Sequence, residues 1–431
     1  MSQPRNVIIA QSGGPSPVIN NSLRGVIEAC RDAPGVFGTI YGGWRGIEGV
    51  LKEELIDLSA QDPQEIALLR STPAAGFIGT CRYKLKPHYQ EDFERILAVM
   101  RAHDVGYFFY IGGNDSMDTA HKVAVLAAGR GLDLVAVGVP KTIDNDVGDE
   151  AFTLIDHTPG YGSAARFWAL QVQSAMEENA GSQSPDPVLV LQAMGRSAGF
   201  IPAAARLADP ARAFPLLICM VESGLTLEAL ADLVNDRLKT FGHALVVVSE
   251  AFDVGDIGAR HDAFGHIEFG ASEQKAGQVI INYLNRVGLP VPGMARTDLP
   301  ETFQRHDAMY ASTVDIDEAY NVGRKAVEIA RQHGGGFMAT ILRQPGDLYA
   351  VRYDKVPLDQ VANAARQMPR AWLSADRVDV TDDFVRYARP LIGDDWPAVP
   401  LVDGRQRFAR LKKVFAPQVL PTYMPQGYRP G

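Results

Sequence analysis

The chain has 431 residues, enough for two or three domains or one large two-lobed α/β body. Hydrophobic residues make up 46% and charged residues 22%, an ordinary globular composition that excludes a disordered chain. A formal net charge of −9 gives no global footprint for nucleic acid or an anionic membrane surface, and leaves a local basic pocket for a phosphorylated small molecule open.

The N-terminal MSQPRNVIIAQSGG holds too short an apolar core for a signal peptide, and the longest apolar run, Leu216–Val221, is too short to span a bilayer. Cys30, Cys81 and Cys219 are far apart and odd in number, so no disulfide framework is expected and a reducing, cytoplasmic compartment fits. Asn6–Ala10 reads as a buried strand, followed by a glycine turn and a helix over Val18–Arg31 with Ile19, Leu23, Val26, Ile27 and Cys30 on one face. Tyr107–Ile111 repeats the pattern, with a helix after Gly112-Gly113 that aligns Ala120, Val123, Ala124 and Ala127. Leu132–Val139 is a third strand and Pro159–Glu178 a long helix. Strands follow at Val188–Met194, Leu216–Val221 and Ala244–Ser249, then a helix at Val314–His333 and a strand at Gly336–Leu342. This alternation predicts an α/β fold of largely parallel sheets covered by helices. From about Arg370 onward, repeated prolines predict an irregular extension, which still carries Phe, Trp and Leu to pack on the body.

In such sheets ligands gather where strands end and helices begin. Three of these junctions carry unusual residues. Ser12-Gly13-Gly14-Pro15-Ser16-Pro17 follows the first strand, where paired glycines and free N–H groups suit a phosphate; a plain tight turn is the alternative. Gly112-Gly113-Asn114-Asp115-Ser116 repeats the device, and Asp115 and Ser116 would also cap the helix. Pro140-Lys141-Thr142-Ile143-Asp144-Asn145-Asp146 places one lysine and two carboxylates within a short loop. Asp144 and Asp146 are read as pointing to opposite sides, one toward a metal and one toward a substrate proton. No Walker A motif, HExxH or metal-type Cys/His cluster occurs.

Taken together, SGGPSPVIN at 12–20, GTCR at 79–82, GGNDS at 112–116, PKTIDND at 140–146, MGRSAG at 194–199, VVSEA at 247–251 and LPETFQR at 299–305 are recognisable. In order and spacing, over about residues 6–345, the chain resembles the phosphofructokinase family, and within it the pyrophosphate-dependent (diphosphate–fructose-6-phosphate 1-phosphotransferase) branch. The resemblance implies two Rossmann-like lobes. One spans 1–143 and binds the donor phosphates, completed by part of 255–315; the other spans 144–254 and binds the sugar phosphate, completed by part of 316–369; 370–431 is the proline-rich extension.

The resemblance also implies roles. Asp144 matches the general base, acting with Lys141 and Thr142. Gly13, Gly14, Arg82, Gly113, Asp115, Ser116 and Lys141 match the donor-phosphate side. Thr142, Asp144, Met194, Gly195, Arg196, Glu250 and Arg305 match the sugar-phosphate side, with Arg305 reaching a 6-phosphate across a subunit boundary. Asp146, with Asp115 or Asn114, matches the Mg²⁺ side. ATP-dependent relatives carry glycines where Asp115 and Lys141 stand. Pro187 replaces an arginine that many relatives use for the 6-phosphate, which leaves a longer acceptor such as sedoheptulose 7-phosphate open. The expected reaction is reversible transfer from pyrophosphate to fructose 6-phosphate, in glycolysis or gluconeogenesis, by a homodimer or homotetramer. An ATP-dependent enzyme and a silent sugar-phosphate-binding regulatory subunit are the rivals.

Overall fold

The computed structural model describes residues 3–262, 265–362 and 365–429. Two sheets organise them. Strands β1 (Arg5–Gln11), β2 (Phe37–Gly43), β3 (Leu55–Asp57), β4 (Val105–Gly112) and β5 (Val135–Pro140) come first in the chain. Strands β6 (Val188–Ala193), β7 (Leu216–Cys219), β8 (Ala244–Ser249) and β9 (Ala295–Asp298) follow. Strands β10 (Phe337–Arg343) and β11 (Val351–Pro357) close the set. The first sheet runs β11-β10-β5-β4-β1-β2-β3 and the second β7-β8-β6-β9. Within these two sheets, among the described residues, only the outer pairs β2–β3 and β10–β11 are antiparallel, and the second sheet is parallel throughout.

The apolar runs follow from burial on both faces. Along β1, Val7 and Ile9 face helices Ile19–Arg31 and Thr313–Gln332, while Ile8 and Ala10 face helices Gln90–Ala102 and Asn114–Gly129. The first two helices cross at glycines: a Cβ on Gly25 would stand 2.2 Å from the Tyr320 carbonyl oxygen, and one on Gly323 2.3 Å from that of Ser22. In the second sheet, Leu189, Leu191 and Val247 pack toward helix Tyr161–Gly181, and Val188, Val190 and Val246 toward helices Leu227–Phe241 and Ala276–Val287.

The strand order shows which parts of the completing segments go to which sheet. β9, within the segment expected to complete the first lobe, pairs with β6. β10 and β11, within the segment part of which was expected to complete the second lobe, extend the first sheet beside β5. The chain therefore passes from the first sheet to the second and back. The physical reason is the helix Thr313–Gln332, whose apolar face matches helix Ile19–Arg31 and carries the chain back to the first sheet.

The extension divides as well. Phe384, Tyr387 and Leu391 enter the core of the second lobe. The last residues strap the first: Asp57 N–H donates to the Val414 carbonyl at 2.8 Å and Ala416 N–H to that of Leu55 at 2.8 Å. Buried Asp92 accepts from Tyr423 at 2.7 Å, from the Gln426 N–H at 2.9 Å, and from Tyr83. Cys30, Cys81 and Cys219 are buried and unbridged. Among the described residues, no helix is long and apolar enough to cross a membrane.

Candidate active site

The carboxyl ends of the parallel strands of both sheets converge on one cleft of about 970 Å³. β1 delivers Gly13 and Gly14, β4 delivers Gly113, Asp115 and Ser116, and β5 delivers Lys141, Thr142, Asp144 and Asp146. The second sheet delivers Met194 and Arg196 after β6, Glu250 after β8 and Arg305 after β9. Arg82 enters from the segment whose Cys81 bridges to Ser12. Of the residues to which the resemblance gives a catalytic, phosphate-binding or metal role, Gly195 alone stands back from the wall, where its N–H donates to Glu250 Oε1 at 3.3 Å.

The two glycine turns flank the point where the first sheet reverses its strand order, between β1 and β4. Lys141 Nζ donates to the carbonyl oxygens of Ser12 at 2.8 Å and Gly14 at 2.6 Å. It is 3% exposed, so burial first, and Arg305 second, bring its ammonium down to about 7. Gly14 leaves room for Arg305: a Cβ there would stand 3.0 Å from the Arg305 Nη1. Arg305 therefore lines its own chain's cleft, between the first glycine turn and the carboxylates. Its Nε is buried without a hydrogen-bond partner, and burial followed by Arg82 lowers its affinity for its proton.

Asp144 and Asp146 both line this cleft, which corrects the expectation of opposite sides. Even an extended chain would have put residues two apart on one face, and this segment is not extended. Between them, Asn145 adopts φ 58°. Burial raises the Asp144 carboxyl against the pull of Arg196, Arg305 and Lys141. Burial and the Asp144 charge raise Asp146. The same two causes, in that order, push Glu250 up to about 8. The Asp144 N–H donates to Thr142 Oγ1 at 3.1 Å, which ties the two residues together.

Four participants escaped the sequence reading. Lys84 Nζ stands 3.1 Å from Asp115 Oδ1. Arg82 Nη1 donates to Asp262 Oδ2 and Glu268 Oε1, both at 2.7 Å. Buried Gln304 accepts from Trp168 Nε1 at 2.8 Å and from the Met194 N–H at 3.1 Å, so it locks the MGR turn to the LPETFQR turn. Lys84 follows Arg82 by two residues, which was a usable signal; Asp262 and Glu268 lie in a glycine-containing loop with no strand pattern to mark them.

This arrangement suits an anionic substrate pair: cations from both lobes face a raised carboxylate that has room to take a proton. The chain matches the family model "Phosphofructokinase" over residues 6–330. It is 38% identical to a pyrophosphate–fructose 6-phosphate 1-phosphotransferase of Halomonas elongata, over 97% of this chain and 99% of the relative. It is 38% identical to one of Methylococcus capsulatus, over 96% of this chain and 98% of the relative. A solved pyrophosphate-dependent phosphofructokinase of Nitrosospira multiformis superposes with a TM-score of 0.87 at 36% identity, covering 97% of this chain and 100% of that one. With its fold, its cleft and a family model spanning most of its length in agreement, the chain belongs to the phosphofructokinase family.

Proposed function

We propose that this chain is a pyrophosphate-dependent phosphotransferase that moves a phosphoryl group between diphosphate and the 1-hydroxyl of fructose 6-phosphate, in either direction. The observation that carries this reading is Asp144, a raised carboxylate at the junction of the donor turns and the second lobe's Arg196 and Glu250. Asp144 takes the proton from the 1-hydroxyl as that oxygen bonds to the terminal phosphorus. The bond from phosphorus to the bridging oxygen breaks, and phosphate leaves with the electron pair. Phosphoryl transfer of this kind asks the protein mainly to position groups and neutralise charge. Arg82, Lys141 and the N–H groups at the start of helix Asn114–Gly129 suit the donor. Arg196 and Arg305 offer flat, two-pronged donors for sugar and transferring phosphates.

The resemblance implies Mg²⁺, and the donor set fits it. Among the described residues no group of three or more His, Cys, Asp or Glu stands ready to hold a metal by itself. Magnesium usually takes one or two carboxylates and completes its shell with water and substrate phosphates. Asp146 would hold it, with Asp115 shared with Lys84, and the buried Asn114 Oδ1, which lacks a hydrogen-bond partner, stands beside Asp115. Bound there, the ion would supply positive charge to the phosphate oxygens.

A coupled assay with pyrophosphate or ATP as donor tests the reading. Turnover with pyrophosphate and fructose 6-phosphate is expected; preference for ATP would move the chain to another branch, and no turnover with either donor would leave a sugar-phosphate-binding subunit.

Two further results are expected. Arg305→Ala should lower kcat/KM by about 10–100-fold for either reactant, the scale of losing a charged hydrogen bond. Mixing Arg305→Ala with an Asp144 variant should restore nothing, since both residues serve one cleft; recovery through hybrid oligomers would place Arg305 at a neighbour's site. The second result concerns pH. In the free protein the Lys141 ammonium dominates only below about 7. Capture of pyrophosphate should therefore weaken as pH rises through that value, and bound phosphate should hold the proton on to higher pH. The kcat/KM profile for pyrophosphate should fall earlier than the kcat profile, and Lys141→Arg, which stays charged, should flatten the difference. Superimposed profiles in the parent enzyme would remove Lys141 from the donor site.

A further inference from the structure

The loop that carries the two cleft carboxylates turns left-handed at two places. Asn145 sits at φ 58°, a left-handed value asparagine tolerates better than most residues, and Phe152 at φ 57°, where a bulky side chain costs free energy. Such a backbone persists only where its surroundings over-determine it.

One side chain reaches both places. Arg366 is 1% exposed. Its Nε and Nη2 donate to the Asn145 carbonyl oxygen at 3.0 and 2.8 Å, and Nη2 also donates to Asn145 Oδ1 at 2.9 Å. Its Nη1 donates to the Ile155 carbonyl at 2.8 Å, and its backbone N–H to the Asp146 carbonyl at 2.6 Å. The guanidinium lies over the Phe152 ring, 4.2 Å from the centroid, and Trp372 stacks on the same ring at 5.2 Å. A second clamp comes from further along the same segment: Asn145 Nδ2 donates to the Tyr387 hydroxyl at 2.8 Å, and that hydroxyl donates to the Asp156 carbonyl at 2.9 Å.

A buried cation normally closes on a carboxylate. The hydrogen bonds of this one end on carbonyl and amide oxygens, concentrated on the peptide unit between Asp144 and Asp146. Arg366 and Tyr387 also lie beyond residue 330, where the family match ends. We infer that Arg366, seconded by Tyr387, is a positioning residue for phosphoryl transfer: it holds Asn145 left-handed so that the flanking carboxylates face the cleft together. The 366–387 segment is then part of the catalytic device, although none of its hydrogen bonds described here reaches a reacting atom. A flat, five-donor guanidinium suits this task, and lysine's single ammonium cannot bridge the same three carbonyl and amide acceptors.

This inference rests on the proposed reaction, and its test keeps the two apart. The parent chain, Arg366→Lys and Tyr387→Phe would be assayed with pyrophosphate and fructose 6-phosphate. Thermal melting and calorimetric binding of fructose 6-phosphate would be measured on the same preparations. In variants that remain folded at the assay temperature, kcat should drop by about 10–100-fold for Arg366→Lys and by about 3–10-fold for Tyr387→Phe, with KM values and sugar-phosphate binding within about 3-fold of the parent. Tyr387→Phe keeps the ring stack, so it serves if Arg366→Lys does not fold. Parental kcat in folded variants, or a loss of kcat matched by an equal loss of binding, would overturn the positioning role. A parent chain without transferase activity would instead overturn the reaction on which it rests.

Discussion

Replacing Asp144 with serine should cut kcat by about 10²–10⁴-fold, the usual worth of a general base, while the KM for fructose 6-phosphate moves far less. The carboxylate's surroundings explain the split. Arg196 and Arg305 act on Asp144, and both remain to hold the sugar phosphate when it is gone. What is lost is the proton acceptor, needed only as the hydroxyl attacks. Serine is smaller and leaves the Asp144 N–H bond to Thr142 Oγ1 available, so the loop should keep its course. Steady-state kinetics in both directions provide the check. In the reverse direction the protonated carboxyl is the acid, so a comparable loss is expected there; near-parental turnover would exclude Asp144 as the base.

The second large effect concerns the donor. Lys141 fills the floor of the first glycine turn, anchored on the Ser12 and Gly14 carbonyls, and Asp115 is held toward Lys84 at 3.1 Å. A nucleotide would have to bring its α-phosphate and ribose past both. Asp115 would then face an anionic phosphate, and exclusion by an unfavourable contact is an effective source of specificity. Lys141 offers a point charge to the shorter donor. Lys141→Gly should therefore lower kcat with pyrophosphate by about 10²-fold, the scale of losing one preorganised charged donor. Asp115→Gly should raise the ATP-to-pyrophosphate ratio of kcat/KM by about 10-fold or more, and the double variant should shift it further. If neither substitution moves that ratio, Asp115 is a helix-start residue and Lys141 a structural one.

Legibility in the sequence followed chain-local physics. The strands buried on both faces were visible as apolar runs, and the glycine turns after β1 and β4 and the loop after β5 were visible because unusual residues follow each run directly. Gly13–Pro15, Gly113–Ser116 and most of Lys141–Asp146 meet in the cleft as their place at strand ends requires. What stayed hidden was long-range. β2, with its glycines and half-buried pattern, has no apolar run to mark it. The pairing of β10 with β5 depends on a helix-to-helix match that no local pattern states. Arg366 sits in an ordinary-looking stretch, and only the folded chain brings it to Asn145, 221 residues away. Asp144 and Asp146 were read as facing apart, against the strand rule, and the left-handed turn at Asn145, which no local pattern states, brings both to the cleft.

The exchange of strands between the sheets has a consequence for how the protein is made. A ribosome delivers β5 about two hundred residues before its neighbour β10, so the nascent first lobe spends much of its synthesis with an uncovered apolar strand at its margin. The second sheet, whose four strands lie between residues 188 and 298, is finished before the first. Birth order and assembly order are thus inverted: the lobe that begins the polypeptide is the last to close. Any lasting pause in translation before residue 337 would leave an adhesive intermediate that needs shielding by the cell.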